Sequence, residues 1–158
     1  MSYRIHRHIN ILLVSFWTLW LFIVFVSDCC DLLIYFNQLP TTWPFNSHNL
    51  NAVLTMIQIY NLSPSIGIFL FVLIILWCLG NLGIFLKALF HYPNRYLYLH
   101  WSSIGYLFLI GLHLCFDIAD EIFIFYEFTD GLMARLSVIL LSYGCLMTEQ
   151  YFLLPREM

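Results

Sequence analysis

Four stretches of this chain are too long and too free of charge to be at ease in water. Ile9 to Ser27 runs nineteen residues without an Asp, Glu, Lys or Arg, and Ser65 to Leu86 runs twenty-two. A third run starts at Tyr96 and stays free of them to Phe116. A fourth, from about Leu132 to Leu154, has Arg135 and Glu149 bracketing thirteen uncharged residues. At a rise of ~1.5 Å per residue, a helix of about twenty residues matches a hydrocarbon layer of ~30 Å. Only 9% of the residues are charged and 62% are hydrophobic, where an ordinary soluble domain carries about 25% charge. A chain of 158 residues has no interior large enough to hide that much apolar surface, so lipid must serve as solvent for most of it.

The expected fold is therefore an all-α integral membrane protein, a single domain with four transmembrane helices at about 9–27, 65–87, 96–123 and 132–154. The first run is followed by no small-x-small cleavage site; Ser27-Asp28-Cys29 is a poor one. It reads as an uncleaved first helix. Residues 28–64 form the longest connection. Its first part, through Phe36, extends the first helix until Pro40 and Pro44 break it. At about 49–61 an amphipathic pattern predicts a short helix. Leu50, Val53, Leu54, Ile57 and Tyr60 share one face and Asn51, Thr55 and Gln58 lie opposite. Lacking Lys and Arg, it is expected to pack on the protein rather than on lipid headgroups.

Charge placement predicts the threading. With the N-terminus inside, Arg4, Arg7, Lys87, Arg95 and Arg156 are cytoplasmic and Arg135 alone is outside, a positive-inside bias that puts both termini in the cytoplasm of a plasma or bacterial inner membrane. Tyr35, Trp43, Tyr92, Tyr96, Tyr98, Trp101 and Tyr126 fall near the proposed boundaries, as an aromatic belt would. Gly80 and Gly83 are expected to admit a neighbouring helix, and Asn81 between them to hydrogen-bond across helices. Net charge is −3 with no basic stripe, so no nucleic-acid partner is expected.

The polar residues that cost most to keep are acidic and cluster toward the outer side. His113, Asp117 and Glu121 are spaced i, i+4, i+8 and share one stripe of the third helix, with Asp120 beside it. Asp117 is about 32 Å from the start of that helix, near the outer boundary. Asp28 and Asp31 stand one turn apart at the outer end of the first helix. Carboxylates crowded near lipid must protonate, find a cation or face water. If the last two helices turn around Asp130-Gly131, Glu121 and Arg135 stand at similar depth, and an ion pair between them is the first expectation. On the plainest reading the group is a solvated helix end with that one salt bridge. The sharper reading is a divalent-metal or proton site made from His113, Asp117, Asp120, Glu121, Asp28 and Asp31; imidazole and carboxylate one turn apart are a common ligand spacing of low specificity. Near the inner boundary Glu149 has Lys87 or Arg95 as its expected partner.

Other chemistries fit less well. Haem needs ligands from facing helices, but His100 and His113 share one helix and the second and fourth helices contain no His. Adjacent Cys29 and Cys30 would close a strained disulfide ring, and no CxxC or zinc spacing occurs among the five cysteines. No nucleophile–base pairing stands at recognisable spacing. Apart from Asn81, scattered Ser and Gly, and the cysteines, the centre of the bundle reads as dry. Two function classes follow. One is a non-catalytic accessory or assembly subunit, its 19% aromatic residues giving packing surface for lipid, a membrane-protein partner or a second copy. The other is a cation- or proton-handling protein, in transport or metal-dependent redox chemistry, built on the outer acidic and His cluster.

Overall fold

The computed structural model describes residues 2–123 and 129–151. Outside that description lie the end of the fourth expected helix toward Leu154, Tyr126 and Arg156, and the side chains of residues 2–5, 120, 123, 129 and 130, which include Arg4, Asp120 and Asp130. Five helices follow in order: α1 Ser2–Tyr35, α2 Asn49–Gln58, α3 Pro64–Phe90, α4 Arg95–Phe123 and α5 Thr129–Tyr151. Four contain segments long and apolar enough to cross a membrane, His6–Tyr35, Pro64–Phe90, Arg95–Ala119 and Gly131–Tyr151. The all-α bundle with a short helix between its first two long ones is thus present.

The helix ends follow local chemistry. α1 runs through Asp28 to Tyr35 and stops where Asn37 enters the left-handed region at φ 57°. The amide of Gln38 then returns to the Leu33 carbonyl at 2.8 Å, a Schellman-type ending with Asn in the place Gly usually takes. Pro64 opens α3 at its first turn, and Ser63 Oγ accepts from the Ser65 amide at 3.4 Å. α3 closes on His91, whose ring Nδ1 lies 2.8 Å from the Lys87 carbonyl oxygen. Asn94 starts α4, its Oδ1 accepting from the Leu97 amide at 3.2 Å.

α3 packs on both α1 and α4, α5 packs on α4 and α1, and α2 lies across α3 and α1. The buried positions Phe71, Ile75, Cys78, Leu82 and Phe85 are spaced alternately four and three apart, the seam of coiled-coil-like helix packing. Cys78, Leu82 and Phe85 join Val14, Trp17 and Leu21 of α1, Tyr98, Tyr106, Leu109 and Leu112 of α4, and Ile139 and Leu146 of α5. Beneath α2, a second cluster joins Leu50 to Phe71 and Ile75, with Val53 and Leu54 against it, so the amphipathic helix does pack on the protein. Hydrocarbon gives helices no hydrophobic reason to associate, so close contact and interhelical hydrogen bonds must hold them. Trp17 Nε1 donates to Ser142 Oγ at 3.2 Å, Gln150 Nε2 to Ser103 Oγ at 2.8 Å and Trp77 Nε1 to the Phe108 carbonyl at 3.1 Å.

Three expectations need correction. Gly80 and Gly83 face outward: a Cβ built on either would meet nothing within 4 Å. The close approaches are at Gly105, whose Cβ would lie 2.7 Å from the Phe85 ring, and at Gly67, 2.7 Å from Ile57 of α2. Asn81 is fully buried, but neither its Oδ1 nor its Nδ2 has a hydrogen-bond partner. Nor is the centre as free of polar groups as expected. Tyr98, assigned to the aromatic belt, is only 2% exposed, and Tyr106 and Ser102 are fully buried; the Tyr98 hydroxyl lies against Ser102 and the Tyr106 hydroxyl against Ser142 of α5. Each such group left unmatched costs about 1–3 kcal/mol.

The Gly105 contact is testable. Phe85 is fully enclosed, so its ring has no free volume into which to yield. Gly105→Ala is expected to destabilise the bundle by about 1–3 kcal/mol through overpacking. Gly80→Ala, facing open space, should instead gain up to about 1 kcal/mol of helix propensity. Thermal unfolding in detergent, followed by labelling of the buried Cys78 thiol, reads both; equal midpoints for the two variants would refute the assigned contact.

Candidate functional site: a five-helix cavity beneath an acid-anchored helix

The end of the bundle that carries α2 is organised by two carboxylates on α1. His48, the N-cap residue just before α2, sits in the left-handed region at φ 59° and offers no side-chain cap. Asp31, 5% exposed, supplies the cap from another helix. Its Oδ1 accepts from the amides of Ser47 at 3.1 Å and His48 at 3.2 Å, and its Oδ2 from the Leu50 amide at 3.3 Å and Ser47 Oγ at 2.6 Å. A carboxylate belongs at this position because the first helical amides are unbonded and the dipole is positive there. Asp28, one turn earlier and 1% exposed, holds the same segment: its Oδ1 accepts from Ser47 Oγ at 2.7 Å and from Asn49 Nδ2 at 2.8 Å. The Ser47 hydroxyl stands within hydrogen-bond distance of both acids and, having one hydrogen, donates to one of them at a time. Further along, the Tyr60 hydroxyl donates to the Ile122 carbonyl at 2.8 Å, tying the end of this segment to α4.

Pinning α2 in this way roofs a cavity of about 160 Å³ to which every helix contributes. α1 gives Trp20, Val24 and Asp28; α2 gives Asn49, Ala52, Val53 and Met56; α3 gives Phe71, Ile74 and Cys78. α4 adds Leu112, His113 and Phe116, and α5 adds Leu132 and Arg135. The walls are apolar except for Asp28, Asn49, His113 and Arg135. His113 is 2% exposed and stands beside the Trp20 and Phe116 rings. Its Nδ1 lies 3.0 Å from the Leu109 carbonyl oxygen. A carbonyl can only accept, so Nδ1 carries the hydrogen, and in the neutral ring Nε2 is left as an acceptor. Arg135 Nε donates to the Gly131 carbonyl at 3.1 Å, and the guanidinium edges the cavity.

The acidic residues expected to act together are therefore divided among tasks. His113 and Asp28 share the cavity wall. Asp31 is committed to the α2 cap. Asp117 is half-buried, with one buried carboxylate oxygen lacking a partner, and Glu121 lies on the exposed surface two turns beyond His113. Asp120 falls outside the described side chains. Among the described residues, no group of three or more His, Cys, Asp and Glu side chains is placed to hold a metal ion. Among the described residues, Arg95 and Glu149 form an ion pair at 3.2 Å. Glu149, 3% exposed, also accepts from Asn10 Nδ2, so one buried acid joins α1, α4 and α5 at the end away from α2. All five cysteines are free thiols.

Sequence reasoning missed Ser47, Asn49 and Asn10. The Asn-Ser-His-Asn stretch after Pro44 carried a readable helix-start signal, but nothing local indicated that its cap would arrive from sixteen residues upstream.

Removing that cap has a defined signature. Asp31→Ala is expected to cost α2 about 1–2 kcal/mol, as loss of a cap does elsewhere, and so to speed hydrogen exchange of amides 50–58 by roughly 5- to 30-fold while α3 and α4 keep their protection. Unchanged exchange across α2 would exclude Asp31 as its anchor. Comparison with protein-family models, with curated proteins and with solved structures finds no match to this chain.

Proposed function

We propose that this is a multi-pass membrane protein that binds one small amphipathic molecule in the cavity beneath α2, without catalysing its conversion. The observation that carries the reading is the cavity itself: an apolar chamber walled by all five helices, with four polar side chains converging on it. A mainly apolar enclosure with a few placed polar groups is the usual form of a small-molecule site. The groups present specify the ligand's polar end. Asn49 and Arg135 donate, Asp28 accepts, and neutral His113 accepts at Nε2. A ligand with one hydroxyl, amide or acid group on an apolar body satisfies that set. A bare cation fits it less well, because the Arg135 guanidinium stands on the same wall as His113 and Asp28 and repels it. The alternative, a non-catalytic accessory subunit, draws only on the apolar outer surface that any multi-pass bundle presents to lipid.

The test is native mass spectrometry of the protein released from lipid nanodiscs. The wild type is expected to retain a single small adduct, and Ala52→Trp, which fills the cavity from α2, to lose it while keeping the same melting behaviour. A bare wild-type chain accompanied by a second protein would replace this reading with the accessory one.

The proposed orientation puts the α2 end outside and both termini in the cytoplasm of a plasma or bacterial inner membrane. Supporting it, Arg7 lies over the Tyr92 ring at 4.5 Å, Lys87 over the Trp101 ring at 3.6 Å and Arg95 against Glu149, all at the end opposite α2, whereas Arg135 edges the cavity at the α2 end. That asymmetry is the positive-inside pattern. Reporter fusions at Asn46 and Tyr92 should report opposite faces, Asn46 outside; any other result discards this threading.

A further inference from the structure

We propose that the molecule held beneath α2 is a small neutral phenol, its ring lying among Trp20, Phe71 and Phe116 and its hydroxyl meeting His113, Asp28 and Arg135. The inference rests on the reading of the cavity as a small-molecule site and names the class of its ligand. Size sets the first limit. An apolar cavity of about 150 Å³ holds a benzene-sized body, and this one measures about 160 Å³. One six-membered ring with a single short substituent fills it, whereas a lipid acyl chain or a fused ring system exceeds it. The walls favour a flat ring. Trp20 and Phe116 stand beside the His113 imidazole at centroid distances of 6.2 and 6.5 Å, and the fully buried Phe71 adds a third ring to the lining. Aromatic rings attract one another in tilted and edge contacts at ~4.5–7 Å, beyond what buried area alone gives.

The polar groups decide the substituent. His113 and Asp28 are only 2% and 1% exposed, and both line the cavity. With Nδ1 directed at the Leu109 carbonyl, His113 presents Nε2 as an acceptor. Among the described residues, the contacts to Asp28 from Ser47 and Asn49 both fall on Oδ1, which leaves Oδ2 to accept. Arg135 commits Nε to the Gly131 carbonyl and keeps its Nη groups to donate. The wall therefore suits a group that gives one hydrogen and receives another. A hydroxyl does both, and its hydrogen bond to a carboxylate is charge-assisted. A carboxamide does both as well, but adds three heavy atoms to the ring where a hydroxyl adds one. Charge of either sign is disfavoured. A carboxylate gains Arg135 but meets Asp28 and the Nε2 lone pair, and an ammonium gains Asp28 but meets Arg135. A phenol stays neutral at pH 7, since the phenolic group titrates at about 10. A body without any polar group leaves two buried acceptors lacking a donor, which weakens binding.

The experiment is fluorine NMR of the full chain in lipid nanodiscs, titrated with para-fluorophenol. A bound resonance distinct from the lipid-partitioned one is expected for the wild type and not for Ala52→Trp, which fills the cavity. In the wild type, para-fluorophenol is expected to bind at least about tenfold more tightly than fluorobenzene, which lacks the hydroxyl. The same margin is expected over para-fluorobenzoate and para-fluorobenzylammonium, which carry charge. A fluorinated cyclohexanol, of similar size without the π face, should bind about fivefold more weakly than the phenol. His113→Leu is expected to remove most of the advantage of the phenol over fluorobenzene. Because that comparison is made within one variant, a general loosening of the packing does not imitate it. Should His113→Leu not fold, the wild-type series decides alone. Tightest binding by a charged probe or by fluorobenzene would overturn the hydroxyl assignment, and equal binding of the saturated alcohol would overturn the aromatic one. Absence of a cavity-specific phenol resonance while the native-mass adduct persists would overturn the phenol class alone. Absence of both would overturn the small-molecule reading with it.

Discussion

Helices in hydrocarbon have no water to satisfy what they leave unbonded, and that constraint organises this bundle. Long apolar surfaces can face lipid freely, so Leu12, Phe69 and Leu141 remain well exposed. Polar groups cannot, and they point inward or toward an end. The interhelical bonds are therefore made by a small set of residues: Asn10 and Arg95 on Glu149, Trp17 on Ser142, and Gln150 on Ser103. Each joins helices that lipid would otherwise let slide apart.

The α2 end solves the same problem differently. A short helix with an uncapped start is a poor structure at a membrane boundary, because its first amides have no internal acceptor. Two carboxylates on α1 are equally poor neighbours for lipid. Placed together, each relieves the other: Asp31 caps the helix, Asp28 holds Asn49, and Ser47 lies against both. The hydrogen bonds that stabilise α2 are also those that close the cavity roof, so anchoring and site formation are one event.

The centre of the bundle and the cavity share an energetic oddity. Close packing at Gly105 and Phe85 shows that these helices can approach closely, yet Asn81 carries two buried polar atoms that packing leaves unmatched. Replacing it with Leu would fill similar space without the penalty of an unbonded polar group.

Much of the fold was legible because one-dimensional patterns decide it: run length sets the number of long helices, 3.6-residue spacing marks α2 as amphipathic, and proline and asparagine mark the ends. The site was legible only in part. His113 and Asp28 stood out as costly residues in apolar surroundings, and both do line the cavity. That Asp31 would serve as a cap, that Asn81 would face no partner, and that Gly105 rather than Gly80 would meet a neighbouring ring depended on helix rotation about its own axis. Uniformly apolar helices such as α3 carry almost no signal for rotation, since every face suits lipid. By itself, then, the amino-acid order determined that this chain forms four membrane-length helices and which residues would be expensive to bury there. Only the tertiary structure decided which of those residues meet, because meeting depends on contacts between faces that hydrophobicity alone cannot tell apart.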